Sequence, residues 1–242
     1  MVGIWCFVTA VMGGLVGLVL GNIRLPVLVL AASSPAAGAG ANIGVSAVAA
    51  LAAAVAHIRA GRIDWRLFAW MAPPSMAGAV LGGLLSGEVP ADTLLVVIGV
   101  TLLLFGADLL RPKAGGRQAG TGRVSARAAV LTGALIGLLG GFVGLILGAL
   151  RLPALLRFVG ADPFRVVGTN AAVGFCLGVA GVFGHLPGGI DWPLLGVGAA
   201  TSVPGAILGA RLTGRLDEAQ LFRVIGLVLL VAGSAMIVQG LA

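Results

Sequence analysis

Apolar residues run along this 242-residue chain in eight stretches, Val2–Gly21, Asn42–Ala56, Leu67–Leu85, Leu94–Leu110, Ala128–Leu150, Val166–Phe183, Leu194–Leu212 and Leu221–Leu241. Short segments between them collect the charged residues. Most stretches approach or reach the roughly 20 apolar residues that a helix needs to cross a hydrocarbon core. They show no period-2 alternation of the kind a barrel strand carries, and a helix satisfies its own backbone amides and carbonyls inside lipid. The pattern predicts an all-α polytopic membrane protein.

The pattern also repeats. A shift of 127 residues lays GGLVGLVLGNIRLPVL (Gly13–Leu28) on GGFVGLILGALRLPAL (Gly140–Leu155), with eleven of sixteen positions identical. At the same offset, give or take one, Asn42 meets Asn170, His57 meets His185, Asp64-Trp65 meets Asp191-Trp192, Gly78 meets Gly205 and Gly99 meets Gly226. The chain therefore divides into two homologous halves, residues 1–112 and 126–242. A Gly-rich, basic linker over 113–125 joins them, carrying Lys113, Arg117 and Arg123.

Each half opens on an interrupted stretch. Gly21–Pro26 and Gly148–Pro153 cut the apolar sequence at equivalent places. Proline lacks an amide donor and glycine tolerates non-helical backbone, so a helix arriving there is expected to stop and turn back as a hairpin. Three full spans then follow in each half. Loop charge tells how the halves are oriented, because Lys and Arg of short loops stay in the cytoplasm. The His57–Arg66 loop holds Arg59, Arg62 and Arg66, but its counterpart His185–Trp192 holds only Asp191. In the following loops the bias reverses: Glu88 and Asp92 stand in the first half, and Arg211, Arg215 and Arg223 outweigh Asp217 and Glu218 in the second. Equivalent loops prefer opposite sides, as expected of inverted-topology repeats with a cytoplasmic linker and both termini outside. Parallel halves with eight plain spans are the alternative.

Composition sharpens the class. Hydrophobic residues make up 59% of the chain against 10% charged, which excludes a soluble domain. The formal charge of +7 comes from residues at the ends of apolar runs, so it reflects membrane topology rather than a nucleic-acid partner. Met1–Gly21 has no basic start and recurs mid-chain, so it reads as mature structure rather than a signal peptide. Cys6 and Cys176 are not repeat equivalents and read as packing residues. No cluster has metal-ligand spacing and no Gly-rich loop precedes Lys-Ser/Thr. Acidic residues are placed in loops. No cofactor, metal or enzymatic activity is expected.

The polar residues that stand out within or beside apolar sequence as candidates for a site are Asn22, Arg24, Asn42, Ser46, Arg151, Thr169 and Asn170. Arg24 and Arg151 are equivalents, each just before Leu-Pro. A charge at membrane depth is costly, so these arginines either snorkel to the headgroups or face a shared midplane site for a small anion, where a planar fork suits sulfonate, sulfite or carboxylate oxygens. Asn42 and Thr169-Asn170 stand near a helix start, where they would cap the helix or bind the anion. His57 and His185 read as interfacial residues at helix ends, and Trp65 and Trp192 as interfacial belt residues. Gly78-xxx-Gly82 and Gly205-xxx-Gly209 read as close-packing faces, which also make a homodimer reasonable.

A Gly-rich first helix running into a Pro-containing break, Gly-Thr-Asn at 168–170, a His-ended helix, an Asp-Trp entry and a G-xxx-G span, all repeated once, resemble the sulfite exporter TauE/SafE family over nearly the whole chain. The resemblance implies an inner-membrane permease for a small sulfur-containing anion such as sulfite, sulfoacetate or another organosulfonate. It also implies that the break and polar helix start map onto Gly21–Pro26, Gly148–Pro153, Asn42 and Thr169-Asn170. At the break, where the family commonly has three glycines, this chain has Leu20-Gly21-Asn22 and Leu147-Gly148-Ala149. An anion channel and a non-transporting membrane scaffold are the competing functions.

Overall fold

The computed structural model describes residues 1–84, 91–111, 125–143, 146–156, 162–186 and 189–241. The linker over 113–125 lies outside them except for its last residue. The described residues form ten α-helices: α1 Val2–Val16, α2 Gly21–Ala31, α3 Pro35–Arg59, α4 Trp65–Leu84, α5 Ala91–Leu110, α6 Ala126–Val143, α7 Gly148–Ala154, α8 Pro163–His185, α9 Trp192–Thr213 and α10 Glu218–Leu241. Each half is thus a broken helix pair followed by three long helices. Among the described residues, α3, α8, α9 and α10 are long and apolar enough throughout to cross a membrane.

The break sits four residues earlier than the sequence pattern suggests. Helix α1 ends at Gly17, which adopts a left-handed conformation (φ 67°), and the Leu18 amide closes onto the Gly13 carbonyl at 2.8 Å. An L side chain at Gly17 would be strained and would also collide with the Val167 carbonyl, so only glycine serves there. Gly21 and Gly148 do not break a helix; each begins one, with Pro26 and Pro153 inside α2 and α7. A proline removes the bond to the carbonyl four residues back. In α2 that carbonyl belongs to Asn22, and Gln239 of α10 donates to it from Nε2 at 2.9 Å. Tertiary structure thereby supplies the donor that the local helix lacks.

The halves interlock. Helix α1 packs on α9 and α4 on α6, which are equivalent pairings across the repeat, and α3 packs on α8 and α5 on α10. Glycines set the approach in each pair: Gly209 lies on Val11 and Gly205 on Phe7, while Gly137 lies on Ser75 and Gly78 on Ala134. Without a hydrophobic drive between helices in lipid, such close backbone packing provides the attraction. Contacts of Ile43 with Gly181, Ala47 with Gly178 and Ala50 with Gly174 make α3 and α8 antiparallel. Likewise Asp92 lies by Gly240, Gly99 by Gly233 and Gly106 by Gly226, so α5 and α10 are antiparallel. Both pairs join repeat-equivalent helices.

The two ends of the bundle differ in charge. Arg59, Arg62 and Arg66 around the α3–α4 loop lie at the same end as Arg165 of α8, Arg211 in the last turn of α9, Arg215 after it, Arg223 of α10, Arg111 after α5 and Arg127 of α6, as the helix directions require. The opposite end carries Asp92 and Asp191 and, among the described residues, no Lys or Arg. Trp65 and Trp192, starting α4 and α9, are exposed at opposite ends. Asp92, Asp108 and Glu218 lie in the terminal turns of α5 and α10 rather than in loops.

Candidate functional site

In the interior of the bundle the segment between α1 and α2 meets the start of α7. There Val19 of the first half approaches Gly148 of the second, with the Val19 amide nitrogen 3.6 Å from where a Gly148 Cβ would stand. Asn170 ties the two together: its Nδ2 donates to the Gly17 carbonyl (2.8 Å) and the Gly148 carbonyl (3.2 Å). Asn42 does the equivalent for the first half, donating to the Gly21 carbonyl at 3.0 Å. Neither asparagine is a helix cap, since both sit two turns inside their helices. The caps are Ser34, which accepts from the Ala37 amide, and Asp162, which accepts from the Arg165 amide.

Arg24 and Arg151 are 2% and 1% exposed, so neither guanidinium snorkels to the surface of the protein. Each points its Nε at its own asparagine: Arg24 Nε donates to Asn42 Oδ1 at 3.0 Å and Arg151 Nε to Asn170 Oδ1 at 2.7 Å. Beyond that bond they diverge. Arg24 Nη2 also donates to the Asn42 carbonyl (3.2 Å) and to Ser46 Oγ (2.5 Å), and Ser46 Oγ in turn donates to the Asn42 carbonyl (2.7 Å). Arg151 Nη1 and Nη2 are buried without a hydrogen-bond partner among the described residues. No carboxylate pairs with either arginine among the described residues, although a buried charge ordinarily needs a partner.

Arg24 and Ser46 line a narrow cavity with Val19, Leu20, Ala50 and Ala171, and Arg151 is not among its lining residues. Because α3 and α8 are antiparallel, Asn42 lies toward the acidic end of the bundle and Asn170 toward the basic end. The arginines therefore flank the crossing of the two breaks, one on each side.

Of the other predicted site residues, Asn22 lines a second small cavity with Asn42 and Ser46, and Thr169 lies apart from it. Asn22 directs its Nδ2 to the Ala232 carbonyl of α10 at 3.4 Å, and Thr169 Oγ1 accepts from the Asp64 amide of the α3–α4 loop at 3.0 Å. Thr169 thus belongs to a seal at the basic end. The same seal contains Arg62, donating to the Ala210 carbonyl (2.8 Å), and Thr213, donating to the Leu15 carbonyl (2.7 Å). Burial pushes the Arg62 guanidinium below its ordinary pKa. His57 is part of this seal and is not interfacial: it is fully buried with Nε2 on the Gly14 carbonyl at 3.2 Å. His185 stays half-buried at the far end of α8. At the acidic end, Asp191 closes the equivalent loop onto the first half. It accepts from the Ser33 amide (3.1 Å) and donates its own amide to the Ala37 carbonyl (3.2 Å). Bonds from the Leu194 and Ser33 amides hold its carboxyl below the usual range.

The sequence reading missed Gly17, Gln239 and Gly174. Gly174 follows Asn170 by four residues as Ser46 follows Asn42, so aligning the halves exposes a hydroxyl in one and none in the other.

Comparison with known proteins agrees with this architecture. A family model described as "Sulfite exporter TauE/SafE" matches residues 2–236. A probable membrane transporter protein of Xylella fastidiosa (strain 9a5c) is 28% identical over 244 residues, covering 92% of this chain and 91% of its own length. The probable membrane transporter protein YjnA of Bacillus subtilis (strain 168) is 26% identical over 245 residues, covering 93% of this chain and 95% of its own.

Proposed function

The chain belongs to the sulfite exporter TauE/SafE family of multi-pass membrane transporters, and from that premise we propose that it carries a small sulfur-containing anion, such as sulfite or an organosulfonate, by alternating access around the crossing of its two breaks. One observation carries this reading: among the described residues, Arg151 is a buried cation with two unpartnered donors and no carboxylate in contact. A guanidinium fork in that state favours an oxyanion, because planar N–H pairs match two oxygens of a carboxylate, sulfonate or sulfite. The carrier has no catalytic step; binding and release are its whole chemistry.

Alternation is supported by the seals at either end. The His57, Arg62, Thr169 and Thr213 bonds close the basic end, and the Asp191 bonds close the acidic one. The cavity beside Arg24 holds little more than one water, so an anion reaches the centre only after one seal opens. Antiparallel packing of the equivalent pairs α3/α8 and α5/α10 favours inverted repeats. We place the arginine-rich end and the linker in the cytoplasm of a cell whose inner membrane holds the protein. Reporter fusions at Arg62 and Ile190 are expected on opposite sides; same-side signals would refute inversion.

Purified protein titrated with sulfite, sulfoacetate and acetate is expected to bind at least one anion. Arg151→Ala is expected to abolish that binding while leaving the protein folded. Wild-type affinity in Arg151→Ala would remove this residue from the site. Liposome flux separates carrier from channel, since a carrier saturates at turnover rates far below single-channel conduction.

A further inference from the structure

Resting on the anion-carrier reading above, we infer that Arg151 is the single bidentate anion anchor of the chain, that Arg24 is a positioning residue, and that the Ser46/Gly174 pair decides which is which. The halves carry the same arginine and the same asparagine, so sequence symmetry alone suggests two anion sites. Donor accounting gives one. Arg24 has Nε on Asn42 Oδ1 and Nη2 shared between the Asn42 carbonyl and Ser46 Oγ, leaving only Nη1. A single free nitrogen cannot grip an oxyanion with two parallel bonds. Arg151 has only Nε engaged, leaving the Nη1/Nη2 edge intact.

One side chain beside this edge differs between the halves. Ser46 stands one turn beyond Asn42 on α3 and takes Nη2 of Arg24. One turn beyond Asn170 on α8 stands Gly174, which has no atom to offer. Where a Gly174 Cβ would be, the nearest atoms are Val19 Cγ2 at 3.0 Å and Ala50 Cβ at 4.0 Å, so the position faces the break of the other half. The Nη2 of Arg151 lies 3.7 Å from the Cβ position of Gly148, placing the free edge against the crossing itself. Ligands of the expected class are monoanions or dianions presenting two coplanar oxygens to one guanidinium: carboxylate, sulfonate or sulfite. Simple halides, with a single centre, are expected to bind more weakly than any of these.

The test is to move the hydroxyl. Gly174→Ser should give Arg151 the latch that Arg24 has and weaken sulfite binding at least tenfold by calorimetry in detergent. Gly174→Ala adds the same Cβ without the hydroxyl, asking only that Val19 shift by a few tenths of an ångström, and should bind within about threefold of wild type. Ser46→Gly removes one of the two acceptors of Arg24 Nη2, leaves the bond to the Asn42 carbonyl, and should leave binding at Arg151 intact with a stoichiometry of one. Equal affinity in wild type and Gly174→Ser overturns the assignment, as does an equal loss in Gly174→Ala and Gly174→Ser, which would make the effect steric. A wild-type protein that binds neither sulfite nor any other oxyanion overturns the carrier reading itself. Wild-type binding that survives Gly174→Ser overturns only the role of this pair.

Discussion

Arg24 and Arg151 occupy the same place in the two halves and are buried to the same degree, yet one is held from three sides and the other from one. The first half spends its arginine on fastening α2 to α3. The second leaves its guanidinium edge open at the same depth of structure. Duplication supplies two copies of a costly buried cation, and in the proposal above a Ser-to-Gly difference helps make one a fastener and the other a candidate binding group. Equivalence in sequence is therefore a poor guide to equivalence in role, because hydrogen-bond satisfaction depends on every partner and a fork loses its bidentate edge when one nitrogen is taken.

The comparison breaks most visibly at Arg24. Arg24→Ala removes charge-assisted bonds worth about 1.5–3 kcal/mol each and strands Asn42 and Ser46, so unfolding in detergent should move to much lower temperature. Arg151→Ala removes one bond and two unsatisfied donors, and its thermal midpoint should stay near that of wild type. Equal loss in the two variants would sink the fastener reading of Arg24. Next in size is Arg151→Lys, which keeps the charge without the planar fork. It should weaken sulfite binding about tenfold, or about 1.4 kcal/mol, with little change in stability; undiminished affinity would mean that charge alone suffices.

Ser46→Ala is expected to cost about 1–2 kcal/mol of stability through the lost bond to Arg24. The same substitution direction at position 174, Gly174→Ala, should change stability through packing alone. A Ser46→Ala protein as stable as wild type would show that Asn42 by itself holds Arg24. Smallest is Gln239→Ala, which leaves the Asn22 carbonyl facing Pro26 without its donor and should cost about 1 kcal/mol, read as a modest fall in thermal midpoint. No change would mean that another donor reaches this carbonyl in α2.

Much of the architecture was legible before any coordinates. The long apolar runs, the 127-residue repeat and the reversal of loop charge led to a polytopic helical protein in two halves, with Arg24, Asn42, Ser46, Arg151 and Asn170 among the polar residues to watch. Those readings are local or depend on repetition, and the cost of a polar group in lipid makes them stand out in a sequence. The position of the breaks was less legible. Gly21 and Pro26 look like helix breakers, but a proline in the second turn of α2 is tolerated once Gln239, 217 residues away, covers the carbonyl it frees. Gly17 looks like one glycine among 41 until Val167 is seen to lie against it.

Sequence by itself determined the membrane class, the repeat and that Asn22, Arg24, Asn42, Ser46, Arg151, Thr169 and Asn170 stand in apolar surroundings, because these follow from hydropathy and period along the chain. Only the tertiary structure decided that Thr169 meets the α3–α4 loop, that His57 is buried against the Gly14 carbonyl, and that Asn22 turns to α10. Those outcomes depend on which backbone carbonyl or amide from the other half arrives at each side chain. No local pattern encodes that arrival, since it is set by how α3 and α8 pack antiparallel through Gly174, Gly178 and Gly181.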